Sequence, residues 1–245
     1  ETLSGSGHPY DLSRTYSLHP GANLISFPAK GEFDIGAALP DEHEGKIHAI
    51  IGEGQSTIPI SSSADLEDLP TWEGSLDNFE GLHGYWVFTS EAFDFSFEVL
   101  PENNLARSTT GSPMVERPEG LEFIQSSEQA FYYVDEEAIE GLDIEHGDWL
   151  VSICGSNVSG SRQYMGETMD IPVMGYDGYS VTAGYCEKGD RPKFKLHKTM
   201  TGEMIELHAE VSAWDSNEIF FIEHMMETPP LPTDYSMLSA YPNPF

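Results

Sequence analysis

Short apolar runs, each stopped within a few residues by glycine or proline, are the feature that most limits the fold of this chain. Residues 24–27 end at Pro28, and residues 47–51 end at Gly52. Residues 93–99 alternate apolar and polar side chains without a break, which is the period of a half-buried strand. Because such runs are too short for ordinary helices, the sequence predicts an all-β protein.

The strand signal continues through the second half of the chain. Apolar or alternating runs there cover residues 121–124, 131–134, 149–154, 192–198, 205–211 and 219–222. One helical turn is expected over residues 34–39 behind an Asp34 cap, and Gly36 and Pro40 keep it short. Residues 55–77 show many turn formers and little periodicity.

Polar segments rich in Ser, Gly and Pro divide the chain into modules. Its 245 residues are enough for two domains of ordinary size. The predicted organisation is a linker over 1–17, a first β module over 18–100, a linker over 101–120, a second β module over 121–227 and a tether over 228–245. The predicted fold class is therefore all-β, with two β-sandwich-like modules in tandem and a proline-rich C-terminal tether.

The charge balance excludes one class of partner. The chain has 42 Asp and Glu against 11 Lys and Arg, a formal net charge of −31. Phosphate backbones are bound by concentrated Lys and Arg, so we expect no nucleic-acid partner. An acidic surface of this kind fits a saline exterior, where salt screens its self-repulsion.

Two further absences in the sequence concern membranes and leaders. No run of 18 apolar residues is present, so no transmembrane segment is predicted. Residues 1–7 have neither a basic start nor an apolar centre, so we expect any signal peptide to be removed already or to lie upstream.

The two cysteines, Cys154 and Cys186, are enough for one disulfide bridge. In an exported protein a bridge is the expected state, because disulfides persist in oxidising compartments. Two buried thiols are the alternative, since free cysteine is a common core residue. The sequence leaves both possibilities open, with the bridge preferred.

The candidate catalytic residues do not have the sequence context that known catalytic motifs need. His43 and His48 are five residues apart with Gly45 between them, whereas a zinc-protease helix needs its histidines four apart. Ser159 and Ser161 lie in a Gly/Ser-rich stretch without the strand-to-helix elbow of a hydrolase serine, and we expect a solvated turn there. The sequence therefore predicts a protein that is not an enzyme.

Calcium is the one cofactor for which the sequence offers candidate ligands. Asp170, Asp177 and Asp190 lie near predicted turns, and carboxylates on turns are hard oxygen ligands of the type that Ca²⁺ prefers. No EF-hand loop is present, so solvation or a hydrogen bond to the local backbone is the alternative role. No other cofactor is expected.

Aromatic side chains near turns suggest a carbohydrate site. Tyr176, Tyr179 and Tyr185 surround turns of the second module, and Trp72 lies in the irregular part of the first. Flat rings at such positions can stack on sugar faces, although aromatics in small sandwiches usually pack under loops. These four residues are the candidate ligand contacts.

A cluster of basic residues lies between positions 188 and 198. Lys188, Arg191, Lys193, Lys195 and Lys198 make up five of the eleven basic side chains. We interpret Lys193 and Lys195 as outward-facing charges that discourage strand pairing at a sheet edge. Substituting them is then expected to change solubility or assembly more than ligand affinity.

The last five residues resemble a known export signal. Tyr241, Pro242, Asn243, Pro244 and Phe245 resemble the opening of the C-terminal sorting domain of the type IX secretion system. The resemblance implies delivery by the type IX secretion machinery to the cell surface or the medium.

Both modules also resemble parts of such exported proteins. The first is similar to an all-β module found upstream of type IX sorting domains, through residues 21–28, 50–54, 72–76 and 84–87. The second, over about residues 121–223, resembles another β module of these multidomain proteins. Its matching motifs are residues 147–149, 154–155, 160–162, 170–175, 177–178, 183–185 and 189–190.

These resemblances imply a non-catalytic extracellular or cell-surface protein that serves as a spacer, adhesion or assembly unit. Its expected partners are the secretion machinery and either a second copy of itself or a surface polysaccharide. The alternative is a carbohydrate-binding accessory module of a larger secreted enzyme. Secreted or cell-surface localisation is expected in both cases.

Overall fold

The computed structural model describes residues 11–60, 70–99 and 116–228, and its fold is all-β as predicted. Short strands form several sheets, and the helices are limited to single turns. The first helix, α1 (Ile35–Ala38), begins at the expected cap, since the Asp34 carboxylate accepts a hydrogen bond from the amide of Ala37 at 2.9 Å. A second turn that the sequence did not indicate, α2 (Asp41–Glu44), follows Pro40.

The first module consists of one five-stranded antiparallel sheet and two small ribbons. We name the sheet with strand order β2-β8-β4-β5-β6 the first-module sheet, and the ribbons are β1-β9 and β3-β7. The strands are β1 (Tyr16–Leu18), β2 (Gly21–Ser26), β3 (Glu32–Asp34), β4 (Ile47–Ile51), β5 (Ser56–Ile60), β6 (Thr71–Gly74), β7 (Asn78–Glu80), β8 (Gly84–Thr89) and β9 (Phe93–Phe95). β5 and β6 fall in the stretch with little periodicity.

The two ribbons and α1 cover one face of the first-module sheet and form a core rich in phenylalanine. Phe27 stacks on Phe79 with ring centroids 5.3 Å apart, and Phe97 meets both rings edge-on at 4.9 and 5.1 Å. Residues 93–99 alternate in burial as the sequence predicts, although only β9 is hydrogen-bonded as a strand. Each buried ring of this size stabilises the fold by about 2 kcal/mol through removal of apolar area from water.

The second module is a sandwich of two sheets. Its strands are β10 (Gln129–Val134), β11 (Trp149–Cys154), β12 (Asn157–Gln163), β13 (Met169–Met174), β14 (Lys193–His197), β15 (Met204–Ala209), β16 (Ile219–Phe221) and β17 (Met225–Glu227). We name the sheet β13-β10-β16 the central sheet and the sheet β12-β11-β14-β15-β17 the outer sheet. A 3₁₀ turn (Ser180–Thr182) lies between β13 and β14.

The central sheet is buried on both faces, and it joins the two modules. One face, with Tyr132 and Ile171, forms a core with the outer sheet. The opposite face turns Phe131 and Tyr133 onto Ile58 and its neighbours in the first-module sheet. All six residues of β10 and all six of β13 are therefore buried. The modules are stacked as successive layers and share an apolar interface.

The expectation of a solvated turn at Ser159 and Ser161 is wrong. Both serines lie in β12 and are almost completely buried. The Ser159 hydroxyl is 3.1 Å from that of Ser152, and the Ser161 hydroxyl donates to the Leu121 carbonyl at 2.9 Å. Between them, a Cβ on Gly160 would lie 1.8 Å from the carbonyl oxygen of Pro172. Small residues are needed here because β12 packs directly against β13.

The interpretation of Lys193 and Lys195 as protection of a sheet edge is also wrong. Their strand, β14, pairs with β11 on one side and with β15 on the other, so it lies inside the outer sheet. Alternation along β14 is correct, because Phe194 and Leu196 are buried while Lys193 is exposed. The pattern specified the two faces of the strand, but it carried no information on the strand's neighbours.

The predicted disulfide between Cys154 and Cys186 is present. Their Cα atoms are 5.2 Å apart, and the bridge spans 32 positions in the sequence. It joins the end of β11 to the loop that precedes β14. In the chain-entropy model, closing a loop of this length stabilises the fold by about 3 to 4 kcal/mol.

A buried carboxylate organises the turn before β11. Asp148 accepts hydrogen bonds from the amides of Glu145 and Thr199, each at 2.9 Å, and pairs with the Lys198 ammonium at 2.9 Å. Burial alone would raise the pKa of Asp148, but the bonds from Glu145, Lys198 and Thr199 outweigh it and hold the pKa below its usual range. The ionised side chain therefore stabilises the folded state.

We expect Asp148→Asn to lower the free energy of unfolding at pH 7 by about 2 kcal/mol, because the ammonium and an amide lose a charged acceptor. Since the folded-state pKa is depressed, this stabilisation is present above the unfolded-state pKa of about 3.9 and is lost as the pH falls through the folded-state value. Urea unfolding at pH 7, 5 and 2.5 should show a constant gap between wild type and variant that closes only at the lowest pH.

Asp143→Asn is the matched control for this prediction. Asp143 also faces Lys198, at 3.6 Å, but its side chain is 82% exposed. Exposed ion pairs contribute at most about 1 kcal/mol, so this variant should stay within that range at every pH. Equal losses in the two variants, or a gap for Asp148→Asn that persists at pH 2.5, would contradict the assignment.

Candidate functional site

The loop between β13 and β14 carries most of the residues that the sequence marks as ligand contacts. We name residues 175–186 the tyrosine loop. It begins at Gly175, where a Cβ would lie 2.3 Å from the Trp214 ring, and Trp214 donates to the Val173 carbonyl at 3.0 Å. It ends at Cys186, whose carbonyl accepts the Tyr176 amide at 2.9 Å and whose sulfur is bridged to Cys154. Both ends of the loop are therefore anchored to the sandwich.

Asp177 holds the middle of the tyrosine loop. Its Oδ1 accepts the Thr182 hydroxyl at 2.5 Å and the Tyr179 amide at 3.2 Å. The bond from Thr182 is the main reason that the pKa of Asp177 lies below its usual value. This is an Asx-type turn, in which a carboxylate replaces a backbone acceptor. It closes the loop around the exposed ring of Tyr179.

Two of the four candidate aromatic residues face solvent. Tyr179 is 70% exposed and Tyr176 is 41% exposed, and Val181 on the same loop is 61% exposed. Tyr185 is buried, and its hydroxyl accepts the Ile124 amide at 2.8 Å. The loop therefore presents a small apolar surface made by Tyr176, Tyr179 and Val181, while Tyr185 supports it from beneath.

Trp72 lies elsewhere in the molecule. It is part of β6 and packs against the core of the first module. Its indole nitrogen donates to the Glu44 carboxylate at 3.0 Å, and Glu44 is buried. Trp72 thus has a structural role of the kind that the sequence left open, with its one polar atom satisfied inside the fold.

The three calcium candidates occupy different environments. Asp170 is fully buried between the modules, Asp177 caps the tyrosine loop, and Asp190 accepts the Glu187 amide at 2.9 Å in an exposed turn. Within residues 11–60, 70–99 and 116–228, no three or more His, Cys, Asp or Glu side chains are grouped so as to hold a metal ion. Calcium binding stays a prediction from the sequence.

No local sequence pattern indicates the polar group that surrounds Asp170, which we name the Asp170 cluster. Oδ2 of Asp170 accepts three hydrogen bonds from the first module: the Ser75 hydroxyl at 2.7 Å, the Ser56 hydroxyl at 2.9 Å and the Ser56 amide at 3.2 Å. From its own module, Arg162 approaches the same oxygen at 3.1 Å. One oxygen therefore joins the two modules.

Arg162 and Tyr133 extend the Asp170 cluster. Arg162 donates to the Gly54 carbonyl of the first module at 3.0 Å, and Tyr133 donates to the Glu73 carbonyl at 3.3 Å. Gly74 sits at φ +140°, and a Cβ there would be 2.5 Å from the Tyr133 hydroxyl. Glycine is required at this position because the first-module backbone passes too close to the Tyr133 side chain for a Cβ to fit.

Burial dominates the electrostatics of the Asp170 cluster. It raises the pKa of Asp170, and the Arg162 guanidinium and the hydroxyls of Ser75 and Ser56 oppose that rise. Burial also raises the pKa of Tyr133 strongly, so its phenol stays protonated and donates. The arrangement contains no exposed nucleophile or acid. Its chemistry is that of a fixed, charged bond between modules.

A second polar contact lies beside the apolar interface. The Gln129 side chain donates to the Gly52 carbonyl at 2.8 Å and accepts the Gly54 amide at 3.0 Å. Gln125 donates to the same side chain at 3.0 Å. One side-chain amide can bond the Gly52 carbonyl and the Gly54 amide at the same time. Gln129 therefore fixes the position of this first-module turn against the second module.

Comparison with known proteins adds no relative, because no family model, curated protein or solved structure matches this chain. Within the described residues, no helix is long and apolar enough to cross a membrane.

We expect Asp170→Asn to lower the free energy of unfolding by about 3 kcal/mol, because the half-buried Arg162 guanidinium loses its counter-charge and two serines lose a charged acceptor. Combining Asp170→Leu with Arg162→Met removes both charges, so the pair should cost less than the two single changes added together. Urea unfolding of Asp170→Leu, Arg162→Met and the double variant measures this coupling, and Asp170→Asn is measured beside them.

Asp190→Asn is the control, since this carboxylate makes only a local bond in an exposed turn. Its effect should stay within about 0.5 kcal/mol. If Asp170→Asn were equally mild, or if the costs of the two single changes simply added, the Asp170 cluster would not be the bond that holds the modules together.

Proposed function

We propose that this chain is a non-catalytic unit of an extracellular or cell-surface protein, in which two stacked β modules serve as a spacer, adhesion or assembly element. The observation that carries the proposal is the interface at the central sheet. Its apolar contacts and the Asp170 cluster connect the modules as one body. A unit of this kind transmits force and holds a binding surface at a fixed distance without any catalytic group.

The interface favours a rigid spacer over two modules that move independently. Apolar contact alone is non-directional and permits sliding, whereas hydrogen bonds have narrow angular preferences. The bonds from Ser56 and Ser75 to Asp170, and those of Gln129 to Gly52 and Gly54, hold neighbouring points around one first-module turn. Several directional bonds around one turn restrict sliding and rotation of the modules.

Export is supported by the disulfide and by the sequence. The Cys154–Cys186 bridge suits an oxidising compartment such as the cell exterior. The resemblance of residues 241–245 to the start of a type IX sorting domain points to that secretion route, although these residues lie outside the described ones. The net charge of −31 favours solubility outside the cell.

The tyrosine loop supports a second candidate, a carbohydrate-binding accessory module. Tyr176 and Tyr179 present exposed rings on a loop that is fixed by the disulfide and by Asp177. Rigid exposed tyrosines supply contact area at a low entropic cost, and they can stack on a sugar or pack against a second protein. The ligand class of this loop therefore decides between adhesion and sugar binding.

We expect the chain to form concentration-dependent multimers that Tyr179→Ser weakens by about tenfold or more, as for an aromatic contact at the centre of an interface. Sedimentation of wild type and variant across a concentration series measures this. Leu82→Ser is the control, because Leu82 is a 97% exposed apolar residue of the first module. Monomers at every concentration, with saturable binding on a glycan array that Tyr179→Ser abolishes, would instead support the sugar-binding candidate.

A separate prediction concerns the export route. In cells with a type IX system, the two modules followed by a complete sorting domain are expected at the surface, and the same modules ending at residue 228 are expected to be folded in the periplasm. Cell fractionation with protease shaving distinguishes the two locations. Surface delivery of the shorter form would contradict the secretion route while leaving the spacer proposal standing.

A further inference from the structure

A groove of about 950 Å³ lies at one end of the second module. We name it the basic groove. Its walls include Arg191, Lys193, His208, Phe221, His224 and Met226. A volume of this size is enough for a small ligand or for a short stretch of a longer one.

The register of the outer sheet builds one wall of the basic groove. His208 on β15 lies directly opposite Met226 on β17. The neighbouring pair Phe194–Leu207 places Lys193 beside His208 on the same face. Just before β14, Arg191 donates to the Val211 carbonyl, which ties the start of β14 to the end of β15. One N–H of the guanidinium is used in this way, out of about five that an arginine carries.

The two strong bases of the groove differ from the lysines close to them in sequence. Lys188 pairs with Asp215 at 2.6 Å, Lys195 with Glu206 at 3.2 Å and Lys198 with Asp148 at 2.9 Å. By contrast, no carboxylate of the described residues comes within 4.0 Å of the side-chain nitrogens of Arg191 or Lys193.

This difference is informative because the chain has 42 acidic residues and only 11 basic ones. Among the described residues, Lys46, Arg162, Lys188, Lys195 and Lys198 each have a carboxylate within 4.0 Å. Two neighbouring cations that face a groove without a carboxylate partner are therefore free to bind an incoming anion, and arginine offers paired N–H groups that match a carboxylate.

Two other side chains limit what that anion can be. Glu210 and Glu223 also line the groove, so a carboxylate beside Arg191 and Lys193 is favoured and one beside the two glutamates is repelled. Phe221 is 62% exposed, and its ring packs against Tyr133 with centroids 5.8 Å apart, which fixes its orientation. An exposed flat ring beside hydrogen-bonding groups is suited to the apolar face of a sugar.

We propose that the basic groove binds an acidic polysaccharide in which carboxylates are spaced along a hydroxyl-rich chain, as in a polymer of uronic acids. Arg191 and Lys193 bind a carboxylate, and Phe221 and Met226 contact a sugar face. His208 and His224 supply hydrogen bonds to hydroxyls. The inference goes beyond the proposed function and does not depend on the tyrosine loop.

The test is calorimetric titration of the whole chain with a hexasaccharide of galacturonic acid at neutral pH. We expect a dissociation constant of about 10⁻⁴ M, with binding of a neutral galactose hexasaccharide weaker by about tenfold. Hexaglutamate has six side-chain carboxylates and no sugar face, so it should also bind about tenfold more weakly. Equal or tighter binding of hexaglutamate would assign the groove to an acidic peptide and overturn the proposal.

Two lysines on one strand provide a matched pair of variants. Lys193→Gln should weaken uronate binding by about fivefold, whereas Lys195→Gln, on the same face but already paired with Glu206, should change it by less than about twofold. Phe221→Ala should weaken binding further, and its melting curve checks that loss of the Tyr133 contact has not unfolded the chain. No heat with the uronate, equal binding of the neutral sugar, or equal effects of the two lysine variants would overturn the proposal.

Discussion

Burial of the central sheet on both faces is the constraint on which the rest of the structure depends. A strand that is covered on one side alternates apolar and polar residues, but β10 and β13 must be compatible with an interior on both sides. Their sequences accordingly lack alternation. The same double burial makes the first-module sheet and the outer sheet parts of one stack, because each packs on an opposite face of the three central strands. The apolar faces that meet at this interface would be exposed to water in either module alone.

A charged residue within such a layer needs polar partners. Those of Asp170 among the described residues all reach Oδ2, and Oδ1 is buried without a hydrogen bond. Asp170 lies in β13 among apolar neighbours, and its transfer from water would cost several kcal/mol without partners. The partners come from both modules: Arg162 on the adjacent strand, and Ser56 and Ser75 across the interface. A buried ion pair adds little net stability compared with well-packed apolar side chains, but it strongly penalises any arrangement in which it is broken. Its contribution here is to select one orientation of the modules.

The sequence predicted those parts of the fold in which local pattern and tertiary environment agree. Alternation identified β14 and the burial of residues 93–99, and the Asp34 cap located α1. It could not identify β12, because Ser159 and Gly160 are selected for close contact with β13, a distant strand, and resemble turn residues when read locally. The candidate site divides in the same way. Exposed Tyr179 follows from its turn, whereas Ser56 and Ser75, the first-module partners of Asp170, lie 114 and 95 residues away in the sequence and leave no local signal.

The few basic residues of this acidic chain show how charge is allocated among these roles. Arg162 is placed at the module interface, where loss of its partner would leave a half-buried charge unpaired, and Lys198 closes the turn at Asp148. Lys195 pairs across two strands of the outer sheet. Each of these cations neutralises a carboxylate that the fold itself has placed nearby. Lys193 neutralises none, although it projects from the same strand face as Lys195, two residues away. Since self-repulsion at a net charge of −31 favours pairing wherever geometry allows it, Lys193 beside the basic groove is available to an external anion in a way that the paired Lys195 is not.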